Sequence, residues 1–286
     1  MTLRLVSYNI RKGGRRRSRL ISEVLRQLDP DLVVLQEAID PGVVVEVGHE
    51  INAHVVLAAP GRSVAVLSRM GELEASWHRG SHGPRYAEVR LPSIDARLLG
   101  LHLTAGLSGR GERRRAREAE QILATVAGGS GAAACVVLAG DFNAVAPGDL
   151  PAVRRLPTWI RILLRVDGGI STRVMQRLLA AGFIDAYRRR NPDAPGATVP
   201  SDAPAVRLDY FLLGSDVAPR LVECRVAVTD PVLLAAASDH LPIILELTTE
   251  PPPEPPGDER EDATDQQRDG PAPGNPRNGE RATMRP

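Results

Sequence analysis

The sequence predicts an α/β fold, because apolar runs of strand length alternate with segments that have the apolar spacing of amphipathic helices. The clearest run, residues 132–139, is small and apolar throughout and leads directly to Gly140-Asp141-Phe142-Asn143. Residues 18–28 instead carry apolar side chains at positions 20, 21, 24, 25 and 28, the spacing of one helix face. Several predicted strands end in an amide, an imidazole or a carboxylate. We therefore expect a sheet whose polar strand ends gather in one cleft.

The composition indicates one large folded domain followed by a tail. The chain has 286 residues, of which 43% are hydrophobic but only 3% aromatic, so aliphatic side chains must build the core. Residues 250–286 are rich in Pro, Gly and charge and have almost no large apolar side chain. Such a segment cannot bury enough surface to offset the entropy of ordering it. We expect residues 1–249 to form the folded domain and residues 250–286 to be disordered.

Charge is distributed unevenly between these two parts. The whole chain has 36 basic and 35 acidic residues, and the tail holds 5 of the basic and 9 of the acidic ones. Residues 1–249 therefore carry a net charge of about +5, which is compatible with a substrate that bears phosphate. Lys12 is the only lysine, and the remaining positive charge is arginine.

Several classes of protein are disfavoured by simple features of the chain. Two cysteines, Cys135 and Cys224, provide neither a disulfide framework nor a cysteine zinc site. No apolar run approaches the roughly 18 residues of a membrane span. Residues 2–8 have the pattern of a strand and not that of a signal peptide. We expect a cytoplasmic, monomeric protein without a transmembrane segment.

In the first half of the chain, strands outnumber helices. Strands are predicted over residues 3–9 and 31–37, on either side of the helix over 18–28, which Asp29-Pro30 should end. The turn signal Ala59-Pro60-Gly61-Arg62 separates the next two strand-like segments. The later strands of this half are predicted over residues 46–57, 63–68, 73–78, 85–91 and 96–102.

The second half begins with a strongly charged helix over residues 110–126, followed by the strand over 134–139. We expect the arginines of this helix to form a solvated face; they are Arg113, Arg114, Arg115 and Arg117. Residues 159–166 are apolar with interleaved Arg, which favours a core helix and leaves a lid or an interfacial helix as the alternative. The remaining predicted elements are a helix over 172–181 and strands over 206–213, 218–228 and 241–247.

The polar residues at the predicted strand ends are the candidate site residues. They are Asn9, Glu37, His102, Asp141, Asn143, Asp209, Asp239 and His240. Carboxylate and amide oxygens suit Mg²⁺ or Mn²⁺ much better than Zn²⁺. The chain has no phosphate-binding glycine loop, no dinucleotide fingerprint, and no nucleophilic Ser or Cys with an obvious base. Oxygen ligands for a metal, together with imidazoles, are typical of phosphate-ester hydrolysis by water.

Taken singly, most of these residues also have a purely structural interpretation. Asn9 is a common turn residue, His102 is compatible with a hydrogen-bonded core histidine, and Asp209 with an ion pair to Arg207. Asp141 and Asn143 would point the same way from an extended strand, but an Asx-turn after the strand is the alternative.

Six motifs together resemble the endonuclease/exonuclease/phosphatase superfamily, which includes deoxyribonuclease I, exonuclease III-type AP endonucleases, neutral sphingomyelinases and inositol polyphosphate 5-phosphatases. In order they are Ser7-Tyr8-Asn9, Leu35-Gln36-Glu37, Leu101-His102-Leu103-Thr104, Gly140-Asp141-Phe142-Asn143, Arg207-Leu208-Asp209-Tyr210 and Ser238-Asp239-His240. The resemblance spans roughly residues 1–247. It implies a four-layer α/β/β/α sandwich, in which two mixed, mostly antiparallel sheets are flanked by helices.

The resemblance also implies a divalent metal, Mg²⁺ or Mn²⁺. Glu37 corresponds to the principal metal ligand of the family, with Asn9 and Gln36 beside it. Asp239 corresponds to a further ligand or to a group just behind the ligands.

The catalytic residues that the resemblance implies are His102, Asp141, Asn143, Asp209 and His240. Asp141 and Asn143 correspond to the pair that positions or deprotonates the attacking water and holds the phosphate. His240 corresponds to the imidazole that faces the scissile phosphate, with Asp209 orienting it. His102 is similar to an additional histidine of the deoxyribonuclease I and sphingomyelinase branches, which binds phosphate or protonates the leaving group. AP endonucleases typically have a Tyr-containing motif there, so strict AP-site cleavage is disfavoured.

We expect a phosphodiester substrate hydrolysed by direct attack of water, and the basic, Arg-rich segments 11–19 and 110–117 favour nucleic acid. The scarcity of aromatic residues to stack on bases weakens that expectation. A phospholipid substrate is the alternative suggested by His102 and by residues 159–166, and a phosphatase is a further one. A non-catalytic binding protein on the same fold is the alternative from another class.

Overall fold

Two sheets packed face to face, with helices on both outer surfaces, make up the fold. The computed structural model describes residues 1–78, 86–106, 109–128, 133–149 and 171–250, and the single positions 158, 161 and 162. The residues described up to position 250 belong to one compact unit. This arrangement confirms the predicted α/β/β/α sandwich.

Each sheet has six strands. The strands are β1 (Thr2–Asn9), β2 (Leu32–Gln36), β3 (His54–Leu57), β4 (Val64–Ser68), β5 (Ala75–His78), β6 (Tyr86–Leu91), β7 (Ala96–His102), β8 (Val136–Asp141), β9 (Ile184–Asp185), β10 (Asp209–Leu213), β11 (Leu221–Val226) and β12 (Ile243–Thr248). The first sheet has the order β11-β12-β1-β2-β4-β3, and the second has the order β5-β6-β7-β8-β10-β9. Only the β1–β2 and β7–β8 pairs are parallel among these strands.

Most of the described helices cover the outer faces of the sheets; Ala186–Arg190 instead packs its Ala186 into the core between them. The helices are α1 (Ser18–Leu28), α2 (Pro41–Glu50), α3 (Gly109–Gly128), α4 (Arg173–Ala180), α5 (Ala186–Arg190) and α6 (Pro231–Ala237). Helices α1, α2 and α6 share a core with the first sheet, and α3 and α4 share one with the second. A third core lies between the sheets and joins β1, β2 and β4 to β6, β7, β8 and β10. None of the helices in the described part of the chain is both long and apolar enough to cross a membrane.

Strand alternation decides which residues face the layer between the sheets. Leu3 and Leu5 of β1 belong to the inter-sheet core, so Asn9, an even number of residues further on, points into the same layer. Phe211 and Leu213 of β10 belong to it as well, and Asp209 shares their side of the strand. The polar residues that end these strands therefore lie at one end of the inter-sheet layer.

Helix α1 begins and ends as the spacing of its apolar residues predicts. Its apolar stripe includes the fully buried Ile21, Val24 and Leu25. The chain leaves the helix at Asp29, which has a left-handed φ of +48° and donates its backbone N–H to the carbonyl of Leu25.

The prediction of a strand over residues 46–57 is wrong in its first part, because residues 41–50 form α2. The Asp40 side chain caps this helix by accepting from the N–H of Gly42 at 3.1 Å, and Pro41 occupies the first turn. Val44 and Val47 are buried on the first sheet. Packing and a good N-cap thus outweigh the strand preference of the valines.

The solvated arginine face predicted for α3 holds for Arg113, Arg114 and Arg117 but not for Arg115. The guanidinium of Arg115 is buried and donates to the carbonyls of Thr104 at 2.9 Å and Gly106 at 2.6 Å. Helix α3 therefore holds the segment that follows His102.

Three short elements, β9, α5 and α6, have too few residues for a recognisable period and are missed by the sequence reading. Most of segment 159–166 and of the predicted tail lies outside the described residues, so both remain predictions.

Candidate active site

Asp141, the last residue of β8, lies at the centre of the candidate site. Its side chain is buried, with the residue 1% exposed. Its Oδ2 accepts a hydrogen bond from Asn9 Nδ2 at 2.9 Å. The Nε2 atoms of His102 and His240 each lie 3.8 Å from the same oxygen. One carboxylate oxygen is therefore surrounded by an amide and two imidazoles that come from three other strands or loops.

Strand register explains how these residues meet. His102 pairs with Asp141 in the parallel β7–β8 ladder, and Asp141 pairs with Asp209 in the antiparallel β8–β10 ladder. Asn9 lies at the same end of the first sheet, where it pairs with Gln36. The facing ends of the two sheets thus bring together residues that are far apart in sequence.

Asn143 is positioned by a turn and not by an extended strand. Its backbone N–H donates to Asp141 Oδ1 at 2.9 Å, and its φ of +46° is left-handed. This is the Asx-turn alternative, and it gives the Asp141 carboxylate a fixed orientation. Asn143 Nδ2 donates to the carbonyl of Leu103 at 3.0 Å, which ties the turn to the segment that follows His102.

His240 and Asp209 form a buried pair. His240 Nδ1 lies 2.9 Å from Asp209 Oδ2, which leaves Nε2 directed towards Asp141. Burial alone would lower the pKa of His240, but the charge and hydrogen bond of Asp209, with the charges of Asp141 and Asp239, raise this pKa to about 10. Burial also raises the pKa of the Asp209 carboxyl, against the effect of His240. With Asp209 ionised beside it, His240 carries a proton at neutral pH.

The predicted alternative that Asp209 pairs with Arg207 is wrong. Arg207 is buried and binds Asp149 through Nε at 2.7 Å and Asp185 through Nη1 at 2.9 Å. The desolvated guanidinium is held by these two carboxylates, which raise its pKa above the usual range. Because Arg207 binds these other carboxylates, Asp209 is available to bind His240.

His102 has a partner that the sequence does not indicate. Its Nδ1 is in a short hydrogen bond with Ser63 Oγ, just before β4. The bond holds one ring nitrogen and directs the other, Nε2, towards Asp141. His102 is hydrogen-bonded, as the structural interpretation suggests, and it also faces the cluster.

Glu37 and Asp239 lie on the first sheet's side of the cluster. Glu37 has a left-handed φ of +53°, and its Oε2 accepts from the backbone N–H of Lys12 at 2.6 Å. Its Oε1 lies 3.3 Å from Asn9 Nδ2, so this amide bridges Glu37 and Asp141. Asp239 is more exposed, and its Oδ2 lies 3.2 Å from Arg11 Nε.

Gln36 does not take part in this group. Its Nε2 donates to Ser7 Oγ at 3.0 Å and to the carbonyl of Val34 at 3.0 Å. The structure therefore places Gln36 in the inter-sheet layer behind the site, and not beside Glu37 as a ligand.

The donor set around Asn9 fits a hard divalent cation. The Glu37 and Asp141 carboxylates converge on one neutral amide nitrogen, which cannot compensate two negative charges. Carboxylate and amide oxygens are ligands that Mg²⁺ and Mn²⁺ accept.

A second group, Asp141, Asp209 and His240, has ligand atoms within 4.8 Å of one another. In that group, however, Asp209 Oδ2 already binds His240 Nδ1 at 2.9 Å and accepts from Thr198 Oγ1 at 2.6 Å. A metal there would have to break the Asp209–His240 pair, whereas at Glu37 it would replace hydrogen bonds from the neutral N–H groups of Asn9 and Lys12. The Glu37 side therefore fits a cation better.

The chain is similar to known proteins in its family motifs and in its fold. A family model described as the Endonuclease/Exonuclease/phosphatase family matches residues 6–240. No curated protein sequence matches the chain significantly.

Several solved structures have a similar fold, with TM-scores above 0.6. An AP endonuclease from Archaeoglobus fulgidus aligns with a TM-score of 0.67 and 20% identity, covering 85% of this chain and 98% of the other. The 3′ phosphatase NExo from Neisseria, bound to a product DNA hairpin, aligns with a TM-score of 0.65 and 18% identity, covering 86% and 99%. An endonuclease/exonuclease/phosphatase from Beutenbergia cavernae aligns with a TM-score of 0.61 and 20% identity, covering 86% and 71%. At these identities the likeness shows a shared fold.

Proposed function

The chain belongs to the Endonuclease/Exonuclease/phosphatase family, and on that premise we propose that it is a divalent-metal-dependent hydrolase of a phosphodiester, with nucleic acid as its substrate. The proposal depends mainly on one observation: Asn9, His102 and His240 surround the buried Asp141 Oδ2. A buried carboxylate with two imidazoles at 3.8 Å is costly to assemble for stability alone.

In this proposal Glu37 and Asp239 would hold Mg²⁺ or Mn²⁺. Asn9 would join them through Oδ1, which in the structure accepts from the N–H of Arg11 at 2.9 Å. When bound, the metal would polarise a phosphoryl oxygen and stabilise the leaving oxygen. Asn9 donates to both Glu37 and Asp141, so it keeps the two carboxylates at a fixed separation. Arg11 holds Asp239 at the rim through its ion pair.

Asp141 orients the attacking water or accepts its proton. Its Oδ1 is fixed by the N–H of Asn143, so Oδ2 faces the space between the imidazoles. In this proposal His102 and His240, which face this oxygen, bind the phosphate together with Asn143, whose Nδ2 would have to leave the carbonyl of Leu103. Protonated His240 offsets the negative charge that develops on the phosphoryl oxygens. Asp209 keeps this imidazole in place and charged, as the raised pKa of His240 indicates.

Nucleic acid is favoured over lipid by a basic loop at the edge of the site. Residues 10–19 contain six basic residues and no acidic one. The loop is anchored to the site, because the Lys12 N–H binds Glu37 and the Arg11 guanidinium binds Asp239. One of the similar structures is an AP endonuclease, and another is a 3′ phosphatase bound to a product DNA hairpin. A cytoplasmic location is part of the same proposal. The lipid alternative depends on His102 and on segment 159–166, most of which lies outside the described residues.

The decisive experiment is a substrate panel with purified protein in Mg²⁺, Mn²⁺ or EDTA. The panel contains plasmid DNA, an abasic oligonucleotide, sphingomyelin, a soluble inositol phosphate and bis(p-nitrophenyl) phosphate. We expect turnover of DNA and of the small diester with metal and none in EDTA. Turnover of sphingomyelin alone would support the lipid alternative, and turnover of no substrate with either metal would support a binding protein.

A further inference from the structure

Thr198 lies at a junction that no sequence motif indicates. It precedes β10, is fully buried, and donates its backbone N–H to the carbonyl of Val206 at 2.8 Å. Val199 and Val206 form an isolated antiparallel bridge, so residues 198–206 make a small hairpin beside the site. We call residues Thr198–Ser201 of this hairpin the bracket.

The hydroxyl of Thr198 binds the carboxylate that holds His240. Thr198 Oγ1 donates to Asp209 Oδ2 at 2.6 Å, and His240 Nδ1 lies 2.9 Å from the same oxygen. Thr198 Oγ1 also accepts from the N–H of Leu208 at 3.3 Å, which leaves its proton for Asp209. Asp209 Oδ1 is buried without a hydrogen-bond partner among the described residues. Within that part of the chain, Thr198 is thus the group other than His240 that fixes the rotation of this carboxylate.

The backbone of the bracket holds the segment that carries His240. The carbonyl of Thr198 accepts from the N–H of Leu241 at 2.8 Å. Ser201 donates its N–H to the carbonyl of Asp239 at 2.8 Å and its Oγ to the carbonyl of Ser238 at 2.6 Å. One residue, Thr198, therefore binds both members of the pair: Asp209 through its side chain and the His240 segment through its main chain.

From this geometry we propose that Thr198 is the positioning residue of the Asp209–His240 pair. Its hydroxyl locks the Asp209 carboxylate, so that Nε2 of His240 stays directed at Asp141, 3.8 Å away. Thr198 is buried behind Asp209, so its effect is transmitted through Asp209 and His240. Removing the hydroxyl should misdirect the imidazole, whose charge matters most when negative charge develops on the phosphoryl oxygens, so kcat should fall by a larger factor than KM rises. This inference rests on the proposed function only in assigning His240 to phosphodiester hydrolysis.

The kinetic test compares Thr198→Val, which keeps the shape and removes the hydroxyl, with Thr198→Ser, which keeps the hydroxyl. With bis(p-nitrophenyl) phosphate, we expect Thr198→Val to lower kcat about 10- to 100-fold and to raise KM by a smaller factor. Thr198→Ser should stay within about threefold of the wild type. Thr125→Val is the matched control, because Thr125 Oγ1 instead binds the hydroxyl of Tyr86 on α3's side of the second sheet. A wild-type kcat in Thr198→Val would overturn the proposal.

A double-mutant cycle separates positioning from general destabilisation. If Thr198 acts through Asp209, adding Thr198→Val to Asp209→Ala should not lower kcat further. A further loss equal to that seen in the wild-type background would contradict the proposal.

A spectroscopic test does not need turnover. In the metal-free protein the ring N–H of His240 should give an exchange-protected NMR signal, identified by its loss in His240→Gln. We expect the signal to persist in Thr198→Ser and to be shifted or lost in Thr198→Val; an unchanged signal in Thr198→Val refutes the positioning role. If the wild type hydrolyses no phosphodiester, the proposed function fails, and this measurement still decides whether Thr198 orients the pair.

Discussion

At Asp141, one carboxylate oxygen lies beside an amide and two imidazoles. Replacing the carboxylate by an amide should therefore strongly reduce activity. Asp141→Asn keeps the volume and removes the negative charge. We expect kcat to fall by about 10²–10⁴, because the side chain can no longer take a proton from water. Steady-state kinetics with the substrate from the panel and circular dichroism of the variant provide the measurement.

The matched control for this substitution is Asp31→Asn. Asp31 Oδ2 accepts from the N–H of Arg4 at 2.8 Å, at the opposite end of β1 from the site. The same atomic change should leave kcat near the wild-type value. An Asp141→Asn variant that is folded and fully active would exclude the proposed role of this carboxylate.

The His240–Asp209 pair should make the stability of the metal-free protein depend on pH. The pKa of His240 is raised to about 10 in the folded protein, against 6.5 for the ordinary side chain. A raised pKa means that the folded state binds the proton more tightly. Its contribution is therefore complete below pH 6.5 and is lost as pH rises through about 10.

Urea unfolding in EDTA can measure this contribution as the difference between the wild type and His240→Asn. We expect the wild type's advantage in free energy of unfolding to shrink steadily between about pH 6.5 and pH 10. A difference that is constant over this range would mean that the imidazole is not held as a cation.

Ionisable residues at strand ends could be found from the sequence. Residues whose role is a hydrogen bond made only in the folded structure could not. Asp141 and His240 stand out because an ionisable group at the end of an apolar strand is expensive unless it has a partner. Ser63 and Thr198 carry small hydroxyls of a kind found in any loop. Their roles depend on the position of His102 and Asp209 in three dimensions, which no local pattern encodes.

Among the elements, β8 depends on a residue without a side chain. Gly140 has a φ of +149°, and a Cβ at this position would lie 1.9 Å from the carbonyl oxygen of Leu101 in β7. The close approach of β7 and β8 at this point places His102 beside Asp141. Gly140→Ala should therefore lower the free energy of unfolding by about 2–6 kcal/mol, from backbone strain and overpacking together.

Gly71→Ala is the comparison for that substitution. Gly71 also has a positive φ, +89°, but no heavy atom of the described residues lies within 4 Å of its Cβ position. Only backbone strain of about 1–2 kcal/mol is expected there. Chemical denaturation measures both variants, and equal losses would show that the contact with Leu101 is unimportant.

The elements differ in how well the sequence predicts them. Helix α1 has a regular apolar stripe and a clear stop at Asp29-Pro30, and its bounds were predictable. Helix α2 was not, because its consecutive valines have the local preference of a strand and its cap, Asp40, also suits a turn. Arg115 was assigned to a solvated face because charge runs usually are solvated, but loop carbonyls at residues 104 and 106 bind it.

For the whole molecule, the pairing of two sheets is what makes a site from distant residues. Periodicity predicts strands but not which strands become neighbours. The four-layer arrangement was predictable only because six motifs in order resemble one family. Once the sheets face each other, residues on the inner side of β1, β7, β8 and β10 must meet at one end.

Metal binding at that end should stabilise the folded chain as a whole. A ligand that binds only the folded state at a hundredfold excess over its Kd adds about 2.7 kcal/mol. We expect Mg²⁺ to raise the Tm of the wild type and to have little effect on Glu37→Gln. Scanning calorimetry in EDTA and in MgCl₂ measures both. Glu23→Gln is the control, because Glu23 is a half-buried residue of α1 that pairs with Arg26. An equal rise in Tm for Glu37→Gln would show that the cation binds elsewhere.

The charge distribution of the molecule also leads to a prediction about substrate size. Arg15, Arg16 and Arg19 are exposed on the basic loop beside the site, where a polyanion extending from the scissile phosphate would pass. Their replacement by Gln should raise KM for DNA and flatten the dependence of log KM on log salt, because fewer counterions are released. Turnover of bis(p-nitrophenyl) phosphate should not change, since this diester is too short to reach the loop.

The matched control replaces Arg26, Arg69 and Arg90, which are exposed at the other end of the sandwich and bind nearby carboxylates. Equal effects of the two triple substitutions on KM for DNA would show that net charge matters and that the loop does not contact the substrate.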